Sequence, residues 1–338
     1  MAERSDGRRA LCVNSGTDAL ILALKLLRVG PGDEVIVPAF SYVSTASCVS
    51  WIGAKPVFAD ICLDDYAVDP ATIEANITPK TKAIIVAHLF GQPASGIEEI
   101  ARIAKRRSLY LIEDAAQSFG AKIEINGEGK PVGAIGDIGC LSFSSTKPFA
   151  APGNGGALIL KDPALWEEGD RMRFYGARVH HFDYPTVGVN CKMHDLQAAA
   201  LLAKLPFFDY WLGHRRRIAA LYTKELAGIG DLVLPADIPG TERTWYRYVV
   251  RTSMCPALFE KIEKTAMGSS RLFQLARNYP VPLPYFSIFR NSRHIPGDFP
   301  VADRVSQEAV PLPVTNDVTT KDAERFACAV QEFFNTRI

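Results

Sequence analysis

Short, almost continuously apolar runs alternate with stretches of helical period along the first 160 residues. "EVIVP" (residues 34–38), "PVFAD" (56–60), "KAIIVAH" (82–88) and "LYLIED" (109–114) are too short for helices and lack polar alternation. Strands covered on both faces have this character. "IGCLSFS" (138–144) and "GGALIL" (155–160) read the same way. Between the runs lie amphipathic segments. "SGTDALILALKLLRVG" (15–30) offers Ser15 as N-cap and Gly30 as stop, and "DPATIEANI" (69–77) offers Asp69 as cap with Pro70 at the first helical position. "GIEEIARIAKRR" (96–107) puts Ile97, Ile100, Ala101 and Ala104 on one face.

This alternation predicts an α/β fold with a mainly parallel sheet flanked by helices. Helical period resumes at 193–226, where Pro206 is expected to kink or split it. A strand at 245–251 and helices at 256–266 and 319–334 follow, and 278–300, rich in proline and aromatics, reads as loop. The expected organisation is a large domain, 1–210, and a smaller C-terminal α/β domain, 211–338. No internal repeat or low-complexity linker is visible.

Composition narrows the class. With 338 residues, 48 % of them hydrophobic, the chain can bury one large core and a smaller one. A net charge of +1 leaves no bias toward polyanions, and the basic runs at 105–107 and 215–217 complement helix ends, so no nucleic-acid partner is expected. Seven cysteines without a CxxC spacing argue against disulfides or zinc and fit a reducing cytoplasm. "MAERSDGRRA" is too charged for a signal peptide, and "ALILALKLLRV" is too short to cross a bilayer. The adjacent His180 and His181 suggest a solvated or substrate-side feature more than a metal site.

Candidate chemistry centres on "LSFSSTKPFAAPGNGG" (141–156), where Lys147 is the one cation. A lysine there is either solvated or, held between two core strands, desolvated into a nucleophilic amine. In open parallel sheets ligands sit beyond the carboxyl ends of strands. Three other segments end there. "NSGTDA" (14–19) opens a helix with Gly16 and Thr17, either as an ordinary Ser-capped terminus or as a phosphate site. Asp114 ends a buried strand, as a helix cap or as partner of a protonated ring nitrogen. Tyr42 faces a planar ring or belongs to the core. GxGxxG and GxxxxGK[ST] are absent, which favours a single phosphate over a dinucleotide. Phosphate, pyridinium nitrogen, ring face and aldehyde together describe pyridoxal 5′-phosphate (PLP), cycling with pyridoxamine 5′-phosphate.

On "SGTDAL", "GPGDEVIVPAFSYVSTA", "GAKPVFAD", "ITPKTKAIIVAHLFGQPA", "IEDAAQSFGA", "GDIGCLSFSSTK", "GNGGAL" and "VGVNCKMHDLQAA", the chain resembles the DegT/DnrJ/EryC1/StrS sugar aminotransferases, which have the fold-type I PLP-enzyme architecture. The resemblance is strong from 11 to 222. It implies Lys147 as the Schiff-base lysine, Asp114 on the pyridine nitrogen, Gln117 on the ring hydroxyl and Tyr42 stacked on the ring. Thr17, Asp18 and Ser142, beside Gly16, would hold the phosphate. Asn190 or Lys192 would complete it from a second subunit of a homodimer. The implied reaction is ping-pong transfer of an amino group from glutamate or glutamine to a keto sugar, nucleotide-linked, or alternatively to a cyclitol. Departures from the family are a short segment before "SGTDA", Lys192, "PLPYF" (282–286) in place of a His-x-Gln pair, and Pro148 and Asn154. Competing readings are a PLP-fold scaffold protein that has lost turnover and, without its glycine fingerprint, a nicotinamide oxidoreductase.

Overall fold

The computed structural model describes residues 2–177, 183–267 and 275–336. The strands β1 (Arg9–Val13), β2 (Glu34–Pro38), β3 (Lys55–Ala59), β4 (Thr81–Ala87) and β5 (Tyr110–Asp114) alternate with helices Gly16–Leu26, Ser44–Trp51, Pro70–Ala75 and Ile97–Arg107. β6 (Lys122–Ile125) and β7 (Glu128–Pro131) form a surface hairpin, and β8 (Ile138–Ser142) and β9 (Gly156–Leu160) return to the main sheet. That sheet has the order β1-β9-β8-β5-β4-β2-β3. β3, β2, β4, β5 and β8 are parallel neighbours, whereas β9 runs antiparallel to both β8 and β1. Every residue of β2 and of β9 is buried, as strands sandwiched between helices require.

Local signals set several boundaries. The Ser15 hydroxyl accepts the Asp18 N–H at 3.0 Å and caps the first helix. That helix ends at Leu26, earlier than the Gly30 stop expected from sequence. Arg28 takes the left-handed position at φ +59°, and Val29 N–H closes on Leu24 O at 3.0 Å. Buried Val29 and Leu24 finish this Schellman closure, so apolar contact outweighs the preference for glycine. Asp69 caps Pro70–Ala75 as expected. Helices Asp195–Lys204 and Phe208–Leu226 are separated by a 3-10 turn, Leu205–Phe207, centred on Pro206.

The C-terminal third carries an antiparallel pair, β11 (Tyr248–Arg251) with β12 (Ala309–Leu312), after a short β10 (Thr241–Glu242) that joins the hairpin. Helices Cys255–Met267 and Thr320–Asn335 cover this pair. The division at 210/211 falls inside helix Phe208–Leu226. Phe208 and Leu212 pack with Phe119, Phe143 and Phe149 under the main sheet. About two to four turns later Ile218, Tyr222 and Leu226 belong to the C-terminal core. Between them lies buried Arg215, which donates to Asn316 Oδ1 at 2.7 Å and to Trp245 O at 3.0 Å. Burial pushes its pKa down to about 9. The segment read as loop at 278–300 holds 3-10 turns Leu283–Tyr285 and Ser287–Ser292, and a helix, Pro300–Glu308, follows it. It returns Phe289 and Phe299 to the large core, against Phe58 at 5.1 and 6.4 Å. Asp60 caps that helix, accepting the Val301 and Ala302 N–H groups at 2.9 Å each.

Candidate active site

The carboxyl ends of β2, β4, β5 and β8 open into a cavity of about 470 Å³. Lys147 enters it from the loop between β8 and β9. Phe149, buried against Phe119 at 5.5 Å and Phe208 at 4.9 Å, anchors this loop. Phe143 N–H to Gly155 O (2.7 Å) and Ala151 N–H to Phe143 O (2.8 Å) close its base. The half-buried Lys147 places its Nζ 4.8 Å from the centre of the Tyr246 ring. Among the described residues no carboxylate pairs with it.

Asp114 ends β5 on the cavity wall. Its Oδ2 accepts from Thr45 Oγ1 at 2.8 Å and its Oδ1 from the Ala116 N–H at 3.2 Å. Thr45 is in turn 2.8 Å from the Ser41 hydroxyl. Burial pushes the Asp114 carboxyl above its usual pKa; these hydrogen bonds and Lys147 offset only part of it. A cation at this carboxylate would remove the mismatch.

Helix Gly16–Leu26 aims its N-terminus at the same cavity. A Cβ on Gly16 would lie 2.8 Å from Ser142 Cβ, so only glycine lets helix and strand end approach this closely. Thr17 Oγ1 lies 2.8 Å from Ser44 Oγ, setting hydroxyls beside the free backbone N–H groups of the first turn. The opposite wall comes from the C-terminal third. There Gly91, at φ +87°, lies so close to the chain that a Cβ would meet the Trp245 and Tyr246 nitrogens at 2.6 Å. Thr244 N–H bonds Gly91 O at 3.0 Å, and this clasp brings Tyr246 to the cavity. Burial raises the Tyr246 phenol's pKa, but Lys147, Arg247 and a hydrogen bond from Thr146 outweigh it, and the net shift is downward.

The model of the DegT/DnrJ/EryC1/StrS aminotransferase family matches residues 1–331. The chain belongs to this family. It is 36 % identical to the "Pleiotropic regulatory protein" of Geobacillus stearothermophilus, over 99 % of this chain and 87 % of that one. It is 37 % identical to the UDP-N-acetyl-3-dehydro-alpha-D-glucosamine 3-aminotransferase of Acidithiobacillus ferrooxidans, over 94 % and 82 %. The X-ray structure of S. venezuelae DesV in complex with a ketimine intermediate superposes with a TM-score of 0.91 at 34 % identity, covering 98 % of this chain and 86 % of that one. The fold is therefore that of the PLP-dependent aminotransferases, and the chain is an enzyme of that class.

The cavity residues fit PLP on their own terms. An amine without a carboxylate partner, a buried carboxyl without a cation and a Cβ-free helix N-terminus answer its aldehyde, ring nitrogen and phosphate. Gln117 joins them, with Oε1 accepting the Phe90 N–H at 2.8 Å. Tyr42 is on the same wall and 55 % exposed.

Asp18 does not line this cavity, and neither do Asn190 and Lys192, the two expected to serve a second subunit. Asp18 takes a hydrogen bond from Ser15 Oγ at 2.8 Å and faces a second cavity, of about 640 Å³, with Lys25, Trp51 and Asn190. Lys192 is exposed, its Nζ 3.7 Å from the centre of the Phe174 ring. "PLPYF" is away from the wall, with Leu283 N–H on Ala39 O at 2.8 Å, whereas Asn154 is on it. His180 and His181 lie outside the described residues.

Sequence reasoning missed Ser41, Thr45, His88, Tyr246, Asn278 and Tyr279. Thr45 lies inside "SYVSTA", three residues past Tyr42, and a helical register would have pointed it back at the strand ends. His88 was read as the end of a strand. Its Nδ1 accepts the Ala94 N–H at 2.9 Å, so its Nε2–H donates to Glu113 at 3.0 Å. Tyr246 and Tyr279 come from distant segments and carry no local signal. Among the described residues no group of His, Cys, Asp and Glu could hold a metal ion, and no helix is long and apolar enough to cross a membrane.

Proposed function

We propose that this chain moves an amino group from glutamate or glutamine to a keto sugar carried on a nucleotide. The observation that carries the reading is that Lys147, Asp114 and the Gly16–Thr17 helix start share one cavity. The nucleotide-linked acceptor is supported by the relative that acts on a UDP-linked 3-dehydro sugar.

When bound, PLP supplies an electron sink for the carbon that loses its proton. The rest falls to the chain. Lys147 Nζ would hold the aldehyde carbon and, as a free amine, would carry the donor's proton as base and then as acid. The Tyr246 ring beneath Nζ keeps that amine over the cavity. The Asp114 carboxylate, oriented by Thr45 and the Ala116 N–H, would hold a proton on the ring nitrogen. Ser142, Thr17 and the first-turn N–H groups would bind the phosphate. Gln117 would meet the ring hydroxyl and Tyr42 the ring face.

The same reading includes a homodimer in which Asn190 or Lys192 reaches the neighbour's phosphate. Exposed Leu196 (78 %) and Leu202 (70 %) on helix Asp195–Lys204, just beyond Lys192, support a covered face there. It also includes a cytoplasmic location, supported by seven free cysteines, and the two-part organisation 1–210 and 211–338, supported by the separate C-terminal core. The test is spectroscopic. Purified chain with PLP should show a visible band that borohydride bleaches, fixing the cofactor to the chain, and that glutamate also bleaches, and the aminated form should then convert one member of a panel of dTDP- and UDP-linked 3- and 4-keto sugars. Absence of the band sinks the reading; conversion of a cyclitol ketone alone moves the acceptor class.

A further inference from the structure

Tyr279 stands on the cavity wall beside Gln117, from a segment far away in the chain. Its phenol oxygen accepts a hydrogen bond from Gln117 Nε2 at 2.9 Å. Gln117 Oε1 accepts from the Phe90 N–H at 2.8 Å. A backbone N–H can only donate, so it settles which end of the Gln117 amide is oxygen. Three groups are thus aligned head to tail: a peptide N–H, an amide and a phenol. Among the described residues the Tyr279 hydroxyl makes this one hydrogen bond, as acceptor. Its own proton is the free end of the chain. Each member polarises the next, which strengthens the donor at the end.

Packing fixes where that donor is held. The Tyr279 ring lies edge-on to Phe40 at 5.4 Å, stacks near Phe90 at 6.3 Å and leans on Tyr42 at 6.4 Å. The phenol also stays protonated: burial pushes its pKa well up, and neighbouring Tyr246 adds to this. Tyr246, across the same cavity, is shifted the opposite way. Two tyrosines in one cavity are therefore unlike, one a committed donor and one eased toward ionisation.

We propose that the Tyr279 hydroxyl is a binding group that donates a hydrogen bond to an acceptor oxygen of the molecule in the cavity, held in that sense by Gln117 and the Phe90 N–H. The proposal rests on the aminotransferase reading, in which that oxygen belongs either to the cofactor ring or to the keto sugar. Y279F keeps the ring and removes only the hydroxyl.

The experiment compares wild-type and Y279F full-length chains. It measures the Kd for PLP by absorbance titration, the rate at which glutamate bleaches the bound cofactor, and KM and kcat for the panel sugar that the wild type converts fastest. Loss of a hydrogen bond to a polar oxygen should cost about tenfold in one constant. A PLP Kd raised about tenfold assigns the oxygen to the cofactor. An unchanged Kd and glutamate rate with KM for the sugar raised about tenfold assigns it to the sugar. PLP and sugar constants both within about twofold of wild type overturn the proposal, even if Y279F melts at a lower temperature. A wild-type chain that binds no PLP overturns the aminotransferase reading, and this proposal with it.

Discussion

Glu113 and Asp114 are consecutive residues of one strand, and their carboxyl groups leave opposite faces of the sheet into opposite settings. Glu113 is sealed behind the sheet, accepting from His88 at 3.0 Å and from the Gly133, Ile135 and Gly136 N–H groups at 2.7–2.8 Å. Burial alone would raise its pKa, but these donors outweigh it and hold it below 4.5. Asp114 has fewer donors and is pushed above 3.8. The first is finished as it stands. The second has room for a cation.

Glu113 should make the cofactor-free protein sensitive to acid. A carboxyl with a depressed folded pKa contributes stability that is present above the unfolded value and lost as pH falls through the folded one. Glu113→Gln should therefore be about 3 kcal/mol less stable at pH 7. The gap should narrow below pH 4.5, where the unfolded wild type starts to gain its proton. Urea melts at several pH values would show it; parallel stability profiles would refute the assignment.

Asp114→Asn should keep the fold, because the amide oxygen still accepts from the Ala116 N–H while the amide nitrogen donates to the Thr45 hydroxyl, whose own proton turns to Ser41. Its turnover should drop on the order of a hundredfold, since the ring nitrogen loses its proton partner. Near-normal kcat in stopped-flow half-reactions would contradict the role.

Lys147→Ala should yield no borohydride-fixed adduct, while wild type yields one on the peptide containing Lys147. Peptide mass spectrometry decides it. An adduct on another lysine would move the nucleophile.

Gly16→Ala places a methyl 2.8 Å from Ser142 Cβ at the helix start. Relieving that contact should cost about 1–3 kcal/mol and shift the first-turn N–H groups. PLP affinity should weaken by about tenfold or more, read by absorbance titration. Unchanged affinity would mean that the phosphate is held elsewhere.

Lys147→Ala and Lys192→Ala chains should each be weak or dead. Refolded together, half of the dimers should be mixed, and one site in each mixed dimer carries neither defect. Activity should return to about a quarter of wild type. A mixture no better than the mean of its parents, with exchange verified by mass, would place Lys192 outside the shared site.

What the sequence discloses here tracks how local the determinant is. "EVIVP" and "LYLIED" announce buried strands by their uninterrupted apolar centres, and Asp69–Pro70 announces a helix start by its own chemistry. Asp114 is legible because it ends a strand of a recognisable order, and Lys147 because it is the one cation in the loop between two such strands. Tyr246 and Tyr279 are not, because the cavity reaches them through Gly91, Phe90 and Gln117, contacts between segments more than 150 residues apart in the chain. The Gly30 stop failed for a local reason: the Schellman closure of Val29 on Leu24, with Arg28 in the left-handed position, ended the helix early.

Helix Phe208–Leu226 is embedded in both cores and pinned between them by Arg215, which also grips the carbonyl of Trp245 beside Tyr246. A rod set into two masonry blocks leaves no hinge at the joint. Twisting the C-terminal third would have to break an unbroken run of helical hydrogen bonds or drag Tyr246 across Lys147. The spacing between lysine and tyrosine is therefore a dimension of the scaffold, held by the Arg215 grip and the Gly91 clasp beside Tyr246.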